Sequence, residues 1–210
     1  MNDMQVSSYA DAPPNLIAGA PGIDFLNTVE WRGDPSRTAE RLTSYGELVI
    51  WCLRADLLTE AESRPLTAEA ARHPQAAARA VRTAIDLREA AVELLQSPLS
   101  DSAAVAQLNR CLTGAPFEYR IKRTGSGRLR SLVTPIGKLL SLPFYRVTQE
   151  IVTVLTSDPP EKIRSCTNER CGWFFVDTSR NNARRWCQMT TCGNQAKARA
   201  HYARRRPSAM

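Results

Sequence analysis

The sequence predicts a mainly α-helical protein in two parts: a helical N-terminal domain with a small β-hairpin, then a small treble-clef or ribbon-like cysteine module ending in a basic helix. Three observations predict it. Apolar residues recur at intervals of three and four over 75–95, as on one face of a helix. The alternating segments Phe117 to Arg123 and Arg128 to Thr134 flank Thr124, Gly125, Ser126 and Gly127 as strands flank a hairpin turn. Four of the six cysteines fall within 166–192. With 210 residues, 43% of them apolar and 23% charged, the chain has material for one sizeable core and a satellite.

Taken in order, residues 1–14 are polar, small and proline-bearing, with nothing to pack, and are expected to be poorly ordered. Ile23, Phe25, Leu26 and Val29 begin an apolar face, and Gly33, Asp34 and Pro35 read as a turn. A helix is predicted near 43–55, capped by Thr43 or by Ser44 with Glu47 three residues on. The longest helix covers Gln75 to Leu95, and another runs from Ser102 to Leu112 with Gly114 as its stop. Thr134 followed by Pro135 reads as a helix start, and Pro143 is expected to divide the following region into two helices that end near Leu155. Ser157, Asp158, Pro159 and Pro160 form the natural linker, which places the helical domain at 15–156, the linker at 157–160 and the cysteine module at 161–206.

The module contains Cys166-Thr-Asn-Glu-Arg-Cys171-Gly172 and Cys187-Gln-Met-Thr-Thr-Cys192-Gly193, two pairs with the same gap, each followed by glycine. Paired cysteines at such spacing place two sulfurs on one metal from a tight loop, and two pairs complete the tetrahedral shell of structural zinc. One Zn2+ per chain is expected on Cys166, Cys171, Cys187 and Cys192. Disulfides are the rival reading, disfavoured by the absence of a leader segment at the N-terminus. Four thiolates close the shell, so a structural ion is expected rather than a catalytic one. Cys52 and Cys111 lie among apolar residues and read as buried free thiols. Trp173 and Trp186 are expected to pack beside the metal, because so small a module must build its core from aromatics.

The formal net charge is +7, and residues 161–210 alone hold 11 Lys+Arg against 3 Asp+Glu, a balance of +8. The remainder, 17 against 18, stands at −1. No carboxylate follows Asp177. A basic tail of this kind suits a polyanion, with Arg180, Arg184, Arg185, Lys197, Arg199 and Arg204 as candidate nucleic-acid contacts. DNA is the leading partner. An RNA-binding module and a protein-interaction adaptor with a basic tail are the alternatives. With two histidines, no nucleophile motif and no phosphate loop, the chain is not expected to be an enzyme. No run of 18 apolar residues occurs, so no membrane span is expected and a cytoplasmic protein is.

The residues Cys171-Gly-Trp-Phe-Phe-Val-Asp177-Thr-Ser179-Arg180-Asn181, Arg185-Trp186-Cys187 and Cys192-Gly193-Asn194 together resemble the CGNR zinc finger. The segment Asp24-Phe25-Leu26-Asn27-Thr28, with Leu48 to Trp51, is similar to the opening of the ABATE domain that accompanies it. The resemblance implies a bacterial, DNA-binding, nucleoid-associated transcription regulator whose helical domain senses a signal or forms a homodimer. One position departs from the pattern, since Gln195 stands where the motif's name has arginine. Within the N-terminal domain, Asp24, Asn27, Thr28, Trp31 and Arg32 gather polar groups beside an apolar face, as a small-ligand pocket would. A hydrogen-bonded cap or turn accounts for the same residues.

Overall fold

The structure, a computed structural model, describes residues 7–96, 102–113, 117–123, 129–135, 139–157 and 162–205; for 102, 104, 111–113, 117–123, 129–135, 200 and 203–205 it describes the backbone alone. The N-terminal domain is built from helices α1 (Pro21–Leu26), α2 (Tyr45–Arg54), α3 (Glu60–Arg72), α4 (Pro74–Gln96), α5 (Ser102–Thr113) and α6 (Leu142–Leu155). Two antiparallel ribbons accompany them. One pairs β1 (Val29–Glu30) with β2 (Ala39–Glu40), and the other pairs β3 (Phe117–Arg123) with β4 (Leu129–Pro135), with Phe117 opposite Pro135 and Arg123 opposite Leu129. The C-terminal module adds a third ribbon, β5 (Ile163–Ser165) with β6 (Phe174–Val176), then a single π-helical turn at Met189–Gly193 and helix α7 (Asn194–Arg205).

The core lies where α1, α2, α4 and α6 meet. Six-residue α1 is buried along nearly its whole length, and its Phe25 meets Trp51 of α2 edge to face at 5.0 Å. Leu48, Leu66, Leu87, Val147 and Ile151 are fully buried around this pair. Helix α1 lies so close to α6 that a Cβ on Gly22 would stand 2.5 Å from the carbonyl oxygen of Glu150. Arg88 of α4, 1% exposed, extends into this core because Glu40 grips its guanidinium at 2.9 and 2.5 Å, Glu89 at 2.7 Å and the Thr28 hydroxyl at 2.9 Å. Buried charge of this kind persists only when every donor has a partner.

Several expectations need correction. The part of the N-terminal segment from residue 7 onward is packed: Tyr9 is 2% exposed, Glu47 accepts from the Ser8 hydroxyl at 2.6 Å and the Tyr9 amide at 2.8 Å, and Arg41 holds the Ala12 carbonyl at 2.8 Å. Residues 1–6 lie outside the described residues. Ser44 does cap α2, accepting from the Glu47 amide at 3.2 Å, but the Glu47 carboxylate serves the N-terminal segment. Pro135 ends β4 instead of opening a helix, and Pro143 sits in the first turn of α6, where its missing N–H costs nothing, so a short 3-10 turn (Leu139–Ser141) and one helix replace the expected two. Helix α3 had no counterpart in the reading of the sequence; a reciprocal capping box between Thr59 and Glu62 starts it and it tolerates Pro65 one turn later. Cys52 is fully buried, as expected, while the side chain of Cys111 lies outside the described residues.

Candidate metal centre and its docking on the helical domain

Between β5 and β6 the chain makes a tight knuckle. The Cys166 amide donates to the Trp173 carbonyl at 2.7 Å and the Cys171 amide to the Asn168 carbonyl at 2.7 Å, while Gly172 takes φ +67°, a conformation that a side chain would strain. The second pair comes from the other end of the module, Cys187 entering the π turn and Cys192 closing it just before α7. The sulfurs of Cys166, Cys171, Cys187 and Cys192 all lie within 4.8 Å of one another, and all four residues are buried. Cys187 stands 3.6 Å from Cys171 and 3.6 Å from Cys192. A regular tetrahedron with metal–sulfur bonds of about 2.3 Å has edges of about 3.8 Å. The donor set therefore fits one tetrahedral, thiophilic cation. The thiols perturb one another: Cys166, accepting from Cys171 and Cys187, is pushed down, and those two, facing Cys166, are pushed up. Four thiolates so close need a positive charge among them.

A polar shell orients the sulfurs. Asn168, 1% exposed, directs its Nδ2 to the Cys192 sulfur at 3.5 Å and to Oε1 of Gln195 at 3.4 Å, while its Oδ1 accepts from Arg199 at 2.8 Å. Gln195, at the arginine position of the motif, thus faces the metal loops, and Arg199 reaches the same amide from one turn further along α7. Asn168 escaped the reading of the sequence, because a lone asparagine inside a cysteine loop has no spacing signature. Asp177 closes the following turn by accepting from the Ser179 hydroxyl at 2.6 Å and its amide at 3.0 Å; these bonds lower its pKa, and Arg164 lies 3.5 Å away.

The module is docked on the helical domain through the residues read as a ligand pocket and through one read as a phosphate contact. Asn27 pairs with the main chain of Phe174 in β6, donating from Nδ2 to its carbonyl at 2.9 Å and accepting from its amide at 2.8 Å. Asp24 accepts the Ile17 and Ala18 amides at 2.9 and 2.8 Å, and the Ala18 carbonyl receives the Val176 amide at 2.7 Å. Burial raises the Asp24 carboxyl to about 6 against the pull of those amides and of Arg184. Thr28 serves Phe25 and Arg88, and Arg32 pairs with Glu89 at 2.6 Å. Asp24, Asn27, Thr28 and Arg32 are therefore hydrogen-bonded internally, as the cap-or-turn alternative expects. Trp31 borders a cavity; it adopts φ 51° with Arg37 stacked 3.6 Å from its ring centroid. Gly33 approaches the knuckle so closely that a Cβ there would lie 1.8 Å from the Glu169 carbonyl oxygen.

Arg184 is likewise corrected from phosphate contact to internal clamp. It donates to the carbonyls of Trp186 at 3.1 Å, Val176 at 3.3 Å, Ile17 at 3.1 Å and Cys187 at 2.5 Å, and lies over the Phe175 ring at 4.3 Å. Arg180, Arg185, Lys197 and Arg199 are exposed, and the side chain of Arg204 lies outside the described residues. Trp173 packs beside the cysteines and donates Nε1–H to the Val29 carbonyl at 2.9 Å; Trp186 is half-buried under Arg185. His201 is exposed, edge to face with Tyr202. Among the described residues, no helix is long and apolar enough to cross a membrane.

Two family models match the chain. The CGNR zinc finger matches residues 162–205, and ABATE, described as "Putative stress-induced transcription regulator", matches residues 19–158. No curated protein matches.

Proposed function

The chain belongs to the ABATE family and ends in a CGNR zinc finger, and from that premise we propose that it is a zinc-containing, DNA-binding regulator of transcription. The observation that carries this reading is the exposure of α7. Lys197, Ala198, Arg199, His201 and Tyr202 all face solvent on a helix that follows the metal loops, in a stretch with no carboxylate after Asp177. Arg180 and Arg185 add two more exposed cations from the preceding loop. Docking occupies β6 and Arg184 and leaves Arg180, Arg185 and Lys197 exposed to meet phosphates, with Arg199, exposed although one of its nitrogens donates to Asn168, beside them. Phosphate contacts set affinity and register, while the exposed helix is the element suited to a major groove. Zinc, one ion per chain on the four thiolates, fixes the geometry of the helix without taking part in chemistry. The protein acts by binding and not by catalysis, in the cytoplasm against the nucleoid, and the helical domain receives the signal or pairs with a second copy.

Fluorescence anisotropy of the full chain with duplex DNA over a salt series tests the reading. If Arg180, Arg185, Lys197, Arg199 and Arg204 reach phosphates, log K falls against log[salt] with a slope of about −4.5, and each alanine substitution at Arg180, Arg185 or Lys197 flattens it by about 0.9. Equal or tighter binding to single-stranded RNA would transfer the reading to RNA. Binding to neither polymer would sink both and leave an acidic protein as the partner. Metal analysis of the purified chain tests the ion: a stoichiometry other than one zinc per chain overturns that part.

A further inference from the structure

All four cysteines are buried, Cys166 at 7% exposure and Cys187 at 4%, but the hollows that reach the metal site do not border them equally. A cleft of about 140 Å³ opens between the finger and the helical domain, walled by Trp31 and Trp173, and Cys171, Cys187 and Cys192 border it. A second hollow, about 300 Å³, runs along residues 183–189 and also reaches Cys187. Cys166 borders neither. Cys187 is thus approached from two sides, and its sulfur lies 3.6 Å from both Cys171 and Cys192, which border the cleft with it. Zinc-bound cysteines are thiolates, the form of sulfur that reacts with peroxides.

We propose that Cys187 is a modification site for small hydroperoxides, and that its oxidation opens the metal centre. The inference rests on the reading that the four thiolates hold zinc. The Cys187 thiolate attacks one oxygen of hydrogen peroxide; an S–O bond forms, the O–O bond breaks and hydroxide leaves, giving the sulfenic acid. The thiolate of Cys171 or Cys192 then attacks that sulfur, the S–S bond forms and the S–O bond breaks with loss of a second hydroxide. Two thiolates have lost two electrons and one peroxide has gained them. A disulfide needs its sulfurs about 2.05 Å apart, so the 3.6 Å pair must close up. Two of the four thiolates that would hold the ion are then gone, and the two that remain could no longer retain it. The indole walls admit a molecule the size of peroxide to the bordering edge, while Cys166, on the knuckle side, stays reduced.

The test uses the full-length, zinc-loaded protein. Zinc content is measured first; a metal-free protein sinks the zinc reading itself, before peroxide is added. Hydrogen peroxide is then titrated while a chromogenic chelator records metal release, and quenched samples are alkylated and mapped by mass spectrometry. The proposal expects release in step with a first disulfide that contains Cys187, joined to Cys171 or Cys192, with Cys166 still alkylatable and the metal site restored by thiol and zinc. Thr191→Phe, which narrows the cleft, should slow release several-fold with zinc content unchanged. A first disulfide that includes Cys166, or metal release with no disulfide, overturns the proposal. Should Thr191→Phe fail to hold zinc, the order of oxidation in the unsubstituted protein still decides.

Discussion

Arg184 donates to four main-chain carbonyls drawn from the finger and from the segment before α1, so its guanidinium is committed inside the protein. Arg184→Ala should lower stability by about 2–3 kcal/mol, since it strands several partly buried acceptors, and leave the salt slope of DNA binding unchanged. Denaturant unfolding and the anisotropy series together check this; a flatter slope with normal stability would return Arg184 to the phosphate contacts. Asp24 makes a pH prediction. Its carboxyl, at an ordinary 3.8 when unfolded, is raised to about 6 by burial, so the folded state holds the proton more tightly than the unfolded one. The stability this contributes is fully present below pH 3.8 and is lost as pH rises through about 6. Asp24→Asn keeps an oxygen for the Ile17 and Ala18 amides and cannot ionise. The variant should match the natural protein near pH 3.5 and gain on it up to about pH 6, where the gap levels at about 3 kcal/mol; a constant gap refutes the assignment. Neither role was legible in the sequence. An arginine that clamps carbonyls and one that meets phosphate are the same letter, and only the fold, by bringing residue 17 beside residue 184, tells them apart. The four cysteines were legible because metal coordination imposes a spacing on the chain itself.

At the scale of elements, legibility followed length. Helices α2, α4 and α5, the β3–β4 ribbon and α7 each span 7 to 23 residues, enough for a period to repeat, and all stand close to where the sequence placed them. The two-residue strands β1 and β2 and the three-residue β5 hold no period, and exist because a partner presents its edge. Helix α3 was hidden by Pro65 and by a polar sequence in which Ser63 and Leu66 alone are buried. The part of the 1–14 segment from residue 7 onward was misread because Tyr9, a single aromatic, anchors it. The turn after β1 carries a prediction. Gly33 leaves 1.8 Å for a Cβ before the Glu169 carbonyl, which is backbone and cannot rotate away. Gly33→Ala should displace the cysteine knuckle from the helical domain, lowering the melting temperature and speeding zinc loss to a chelator, whereas Gly46→Ala, whose nearest neighbour is the Ser44 hydroxyl at 3.5 Å, should do neither. Equal behaviour of the two variants would show that the knuckle is not seated on this turn.

For the molecule as a whole, the pairing of Asn27 with Phe174, of Ala18 with Val176 and of Arg184 with Ile17 joins two families' worth of sequence into one hydrogen-bonded body. Metal removal should therefore lower the melting temperature of the helical domain along with that of the finger, in a single transition seen alike by circular dichroism and by tryptophan fluorescence; two separate transitions, with the helical one unmoved, would show independent modules. The same join bears on where the protein would stand on a duplex under the proposed function. Four residues, 158–161, separate the described end of the helical domain at 157 from the start of the finger at 162. Even fully extended, five residue steps reach no further than about 18 Å. A finger lodged on a duplex, docked or released, holds the helical domain on a tether shorter than the width of the double helix itself. On the proposed DNA-binding reading, the footprint is that of both parts, and anything that recognises the helical domain, a second copy included, would be brought to within a few base pairs of the site the finger chooses.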